Sequence, residues 1–218
     1  HDEHPYDRLS VSDVLVKSSN IGMAQIGERL GNAELYQAAV TFGFGRTTGS
    51  ELPGEISGAL HPLKEWTRYS TGSIPMGQEL AVTPLQLIVA HAALANGGVL
   101  RSPRLVLRRA DLSPGSSGPS ALAATPSEGA FEPSTAIVTR ALSAETARWM
   151  VQGPMTEVVR HGTGKKAQLE GYTVFGKTGT AQKMDPQTGG YSSTRHVSSF
   201  LCGAPAEDPR ALVLVVVD

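Results

Sequence analysis

The hydrophobic pattern divides the chain into an early helical part and a late strand part. Ser10-Val-Ser-Asp13 has the form of a capping box ahead of a short helix. After the triplet Ser18-Ser19-Asn20, Met23, Ile26 and Leu30 recur at helical spacing, so the triplet sits at the junction of two helices. Gly31 is expected to stop the second helix and Asn32 to cap another, with Leu35, Ala39 and Phe42 on one face and Gly43 at its end. From Gly43 to Pro75 the periodicity is weak, "LPGE" marks a tight turn, and a long irregular connection is expected. "TPLQLIVAHAALANGG" is the best-defined helix. Thr83 and Gln86 form its capping box, Pro84 takes the first helical position, and Asn96-Gly97-Gly98 ends it. It is apolar on most sides and should be buried.

Beyond this helix the pattern predicts a strand at "RLVLRRA" and, from composition, a mobile loop over 112–132. Ser143 opens a helical stretch through Val159 that Gly153-Pro154 should interrupt, because proline lacks the amide donor and clashes one turn back. Strands are expected at Tyr172–Lys177, Val197–Gly203 and Ala211–Val217. Helices early and strands late favour an α+β class over an alternating α/β one.

Composition narrows the function classes. The 218 residues hold 40% hydrophobic positions, enough for a sizeable core. With 19 basic against 20 acidic residues and no dense basic cluster, nucleic acid is not an expected partner. The longest apolar run, Ala211 to Val217, is far shorter than the ~20 residues that a membrane-spanning helix needs. Cys202 is the single cysteine, which excludes an internal disulfide and a multi-cysteine metal site; its alternating surroundings predict a core position.

The stretch "GYTVFGKTGTAQK" carries two incompatible meanings. Gly171 to Thr178 fits the phosphate-loop pattern, and the terminal "LVLVVVD" imitates the strand and metal-binding aspartate that accompany that loop in nucleotide hydrolases. A phosphate loop needs a strand before its first glycine, a pliable loop between the glycines and a helix starting at the lysine. Here the preceding "GKKAQLE" is polar, Tyr172 to Phe175 are strand formers, and glycine and proline after Lys177 forbid a helix. The nucleotide reading is therefore rejected.

The other meaning pairs Lys177-Thr178-Gly179 with Ser18-Ser19-Asn20. These resemble K-T-G and S-x-N, two of the three motifs of the penicillin-recognising serine enzymes. S-x-N alone arises by chance in roughly every second chain of this size and K-T-G in roughly one in twenty, so their contexts carry the weight. "VSDVLVKSSNIGMAQIGERLG", "GFGRTTGSELPGE", "IPMGQELAVTPLQLIVAHAALANGG", "GYTVFGKTGTAQK" and "SSFLCGAPAEDPR" together resemble the transpeptidase domain of class B penicillin-binding proteins, with only the region near 112–132 unmatched.

That resemblance implies the penicillin-binding protein and serine β-lactamase-like fold, an antiparallel sheet flanked by helices, with residues 1–218 forming a partial transpeptidase domain. It implies peptidoglycan D,D-transpeptidation through a serine acyl-enzyme, with stem peptides as substrate, β-lactams as inhibitors, and no cofactor or metal. Ser18 would relay a proton to the leaving nitrogen and Asn20 would hold the peptide backbone. Lys177 would place positive charge beside Ser18 and the substrate carboxylate, and Thr178 and Thr180 would offer hydroxyls to that carboxylate. Gly179 would admit substrate close to the strand, and the Thr180 amide would donate to the oxyanion. The parent protein would be anchored by an upstream segment on the extracytoplasmic face of the membrane, alongside glycosyltransferase, division or elongation partners.

The family's S-x-x-K nucleophile motif is missing: no serine here is followed by lysine three positions later. Thr163-Gly-Lys-Lys166 has the spacing with threonine but the wrong place in the family order. The chain is therefore expected to be an inactive fragment with an incomplete sheet, poorly stable or self-associating. A β-lactam hydrolase or sensor of the same fold, and a non-catalytic scaffold, are the alternatives. The plain reading of each residue is that Ser18 and Asn20 cap a helix, that Lys177 is an exposed edge lysine, and that His196 is structural or solvated.

Overall fold

The computed structural model describes residues 2, 5–105, 138–186 and 189–218. In chain order these form α1 (Val11–Lys17), α2 (Asn20–Thr41), β1 (Ala59–Leu60), α3 (Ser70–Ser73), β2 (Leu80–Ala81), α4 (Pro84–Ala95), β3 (Val99–Arg101) and β4 (Val138–Arg140). There follow α5 (Ala144–Met150), α6 (Thr156–Arg160), β5 (Phe175–Met184), β6 (Tyr191–Ala204) and β7 (Ala211–Val217). The expected strand at Arg104–Ala110 lies, but for its first two residues, outside the described residues, and the expected loop over 112–132 lies wholly outside them.

The capping chemistry forms as the residue pattern predicts. Ser10 Oγ accepts from the Asp13 amide at 3.1 Å and the Ser10 amide donates to the Asp13 carboxylate at 3.2 Å. Thr83 and Gln86 close the same reciprocal pair at the start of α4. Gly31, at φ 79° and ψ 166°, breaks α2 into two helical segments. Gly153 and Pro154 open a π-type turn, Val151–Met155, between α5 and α6. Asn32 is not the cap expected of it: its Nδ2 donates instead to the Thr67 carbonyl at 2.9 Å, which ties α2 to the segment before α3. At Gly27 a side chain would overlap the Thr71 carbonyl, so α2 and α3 meet there backbone to backbone.

Strands β5, β6 and β7 form an antiparallel sheet in that order, and β1–β2 and β3–β4 are small separate pairs. The β5 ladder runs from Phe175 opposite Gly203 to Gln182 opposite His196. The strand starts at Phe175 rather than Tyr172 and continues past Lys177 to Met184. Its glycine at 179 extends the strand because β6 is long enough to pair with every residue through Gln182, and because Ser199 Oγ occupies the space beside it, 2.7 Å from where a Cβ would stand. Phe175 is fully buried in a cluster with Val151, Met155 and Ala206. A second cluster, Val89, Ala93 and Leu100, seats α4 on β3. Cys202 is only partly buried, not the core residue expected, and His196 is exposed.

Candidate active site

Strand β5 is hydrogen-bonded to β6 on one side only, so within the described sheet its other edge is open. Side chains alternate along a strand, and the step of two that buries Phe175 therefore puts Lys177 and then Gly179 on the same face. Lys177 Nζ donates to Ser18 Oγ at 2.7 Å and to the Thr178 carbonyl at 3.0 Å. Residues 159 positions apart in sequence thus meet at the open edge. Burial alone pushes the lysine below the ordinary ammonium range, with no carboxylate contributing.

Ser18 reaches this position through an unusual backbone. It ends α1 in the left-handed region, φ 56° and ψ 43°, which costs a residue with a side chain about 1–2 kcal/mol. Capping of α2 is carried out by Ser19, whose buried hydroxyl accepts from the Gly22 amide at 2.9 Å. Neither Ser18 nor Asn20 is the cap, and both are exposed. Because Lys177 donates to the Ser18 oxygen, the Ser18 proton is left for another acceptor, the arrangement a proton relay requires.

Of the residues singled out in the sequence, Ser18 and Lys177 are in direct contact. Asn20 opens α2 two residues on, and Thr178, Gly179 and Thr180 follow Lys177 along the open strand. Thr163, set aside above as a counterpart of the nucleophile motif, shares a hydroxyl–hydroxyl bond of 2.6 Å with Thr178. Its signal was proximity to the motif, which spacing alone could not turn into contact. Among the described residues no cluster of His, Cys, Asp and Glu is placed to hold a metal, and no helix is long and apolar enough to cross a membrane.

The family model for the penicillin-binding protein transpeptidase domain matches residues 1–218. The chain belongs to the penicillin-binding protein transpeptidase family. Stage V sporulation protein D of Bacillus subtilis is 35% identical over 94% of the chain, and PbpB of Mycobacterium tuberculosis is 32% identical over 99% of it. The chain spans about 30% of the length of these curated relatives. Among solved structures, penicillin-binding protein 3 of Mycobacterium tuberculosis complexed with aztreonam superposes with a TM-score of 0.83 at 30% identity, covering 100% of this chain and 47% of that one. Class B penicillin-binding proteins are thus its homologues, and the mixed α+β architecture with an antiparallel sheet flanked by helices is theirs.

Proposed function

We propose that the full-length protein carrying this chain is a peptidoglycan D,D-transpeptidase that β-lactams acylate, working on the extracytoplasmic face of the membrane with a glycosyltransferase partner. The contact that carries this reading is Lys177 Nζ to Ser18 Oγ, 2.7 Å, beside an open strand edge. A stem peptide adds to that edge as an extra strand, its terminal carboxylate facing Lys177, Thr178 and Thr180, and Asn20 holds its backbone. Gly179 keeps the edge clear, and the Thr180 amide donates to the oxyanion.

In the first half-reaction a serine hydroxyl attacks the carbonyl carbon of the amide between two D-alanines. That serine is supplied by residues outside these 218, since the sequence contains no S-x-x-K. The nucleophile's proton goes to Ser18 as Ser18 passes its own to the leaving nitrogen, the carbon–nitrogen bond breaks, and D-alanine departs. In the second half-reaction an amine from a neighbouring strand attacks the acyl-enzyme, the ester carbon–oxygen bond breaks, and a proton from the amine returns to the serine. Lys177 stabilises negative charge on Ser18 as the proton moves. No cofactor enters either step.

Fluorescent penicillin tests the reading. It should label the full-length protein covalently and leave the 218-residue chain unlabelled. Labelling of the short chain would overturn the assignment of the nucleophile, and a full-length protein that resists labelling would overturn the activity.

A further inference from the structure

The first turn of α2 presents amides that have no acceptor within the helix, and all of them are accounted for. The Ser19 amide donates to the Val14 carbonyl at 2.9 Å and the Gly22 amide to Ser19 Oγ. The two that remain, those of Asn20 and Ile21, both donate to Asp2 Oδ1, at 2.7 and 3.1 Å. The other oxygen of the same carboxylate accepts from Ser19 Oγ at 2.6 Å. One side chain therefore grips three consecutive residues of the corner that follows Ser18.

We infer that Asp2 is a positioning residue for the proton relay: its carboxylate clamps the corner and so keeps Ser18 against Lys177. The inference rests on the role proposed above for Ser18. Left-handed backbone at a serine is not self-sustaining, so neighbours on both sides must hold it. On the α1 side the holding bonds are Ser18 N to Leu15 O and Ser19 N to Val14 O, at 3.2 and 2.9 Å. On the α2 side they run through Asp2. Ser19 is 2% exposed, so without the carboxylate its hydroxyl proton loses its acceptor in a place that water does not readily reach. The relief available is rotation of the corner, which carries Ser18 out of its 2.7 Å contact. The bonds from Ser19, Ile21 and Asn20 outweigh the effect of burial and hold the Asp2 carboxyl below its ordinary range, so the clamp is ionised at neutral pH. Asp2 touches neither Lys177 nor the open edge of β5 in any described bond and acts only through the corner.

The test is a double-mutant cycle in the full-length protein, reading the second-order rate of acylation by fluorescent penicillin beside the thermal midpoint. Asp2→Asn should slow acylation about tenfold. Combined with Ser18→Ala it should add less than about twofold to the loss caused by Ser18→Ala alone, because both act on one relay. Asp2→Glu keeps the negative charge at the helix start but displaces its oxygens; it should fold normally and lose acylation to a similar degree. Multiplying losses in the double mutant, or normal acylation by Asp2→Glu, would reduce Asp2 to a helix cap and overturn the inference. If Ser18→Ala acylates normally, the proposed role of Ser18 falls first and the positioning role with it. If Ser18→Ala is slow and Asp2→Asn is not, only the positioning role falls.

Discussion

Replacing Lys177 with methionine in the full-length protein separates chemistry from folding at one atom. Methionine keeps the length and apolar stem of the side chain, so packing beside the sheet is retained, and what disappears is the charged donor to Ser18 Oγ and the Thr178 carbonyl. A hydrogen bond to a charged group is worth about 1.5–3 kcal/mol. In the proposed step the Ser18 oxygen is most negative as its proton leaves, so this bond is stronger in the transition state than before it, and its loss should slow acylation about 10- to 150-fold. Stability should move differently. Burial lowers the lysine in the folded protein, so between its folded and unfolded values the unfolded chain binds more protons and stability rises with pH through that window. Below that window the cost of burying the charge is in force, and methionine removes it. The thermal midpoint should therefore stay within about 4 °C of wild type or rise. Stopped-flow acylation and a thermal scan on the same preparation provide the check. Unchanged acylation would remove Lys177 from the site, and a midpoint that collapses with the rate would make it a structural lysine.

Other outcomes follow from the same geometry. Ser18→Gly should be more stable than Ser18→Ala by about 1 kcal/mol, because only glycine adopts φ 56° freely, while both should acylate equally slowly; equal thermal midpoints would refute the backbone argument. Gly27→Ala should cost at least about 2 kcal/mol in denaturant unfolding, since the Thr71 carbonyl occupies the methyl's position. The 218-residue chain should associate at micromolar concentration through β7, whose Val213, Val215 and Val217 are 53%, 51% and 61% exposed. Lysines at 213 and 215 should return it to monomer in light scattering, and a wild-type chain that is monomeric and unfolds cooperatively would refute this. His91, half-buried with its Nδ1 proton on the Leu87 carbonyl, is pushed by desolvation below the ordinary histidine range, so stability should fall as pH drops below about 6.5, and His91→Gln should flatten that slope.

What could be read from sequence was local. Ser10 with Asp13, Thr83 with Gln86, and the interruptions at Gly31 and Gly153-Pro154 each follow from chemistry within one turn, and each is present. The two motifs were placed correctly on a helix junction and a strand because their flanks have unambiguous pattern. Distance defeated the rest. The strand was expected to end at Lys177, yet a 14-residue partner strand pairs with every residue through Gln182 and carries it to Met184. Thr163 meets Thr178 across 15 positions, and Asp2 meets Ser19 across 17 from a segment with no periodicity at all. The serine triplet read as a single unit, whereas its members divide the work: the buried middle residue serves the helix and the first faces the lysine.

The pairing of β5 with β6 also sets the order in which this part of the molecule breathes. Phe175 pins one end of the ladder in the core, and the register shifts between Gln182 and Met184 near the other. Lys177 stands about 7 Å along the strand from the pinned end, and Met184 about 24 Å beyond Lys177. Local opening costs least where apolar anchors are fewest, so among the β5 amides bonded to β6 deuterium should enter those near Gln182 well before those near Lys177. The lysine thus occupies the slowly exchanging end of its strand, and its alignment outlasts the fluctuations of the hairpin beyond it.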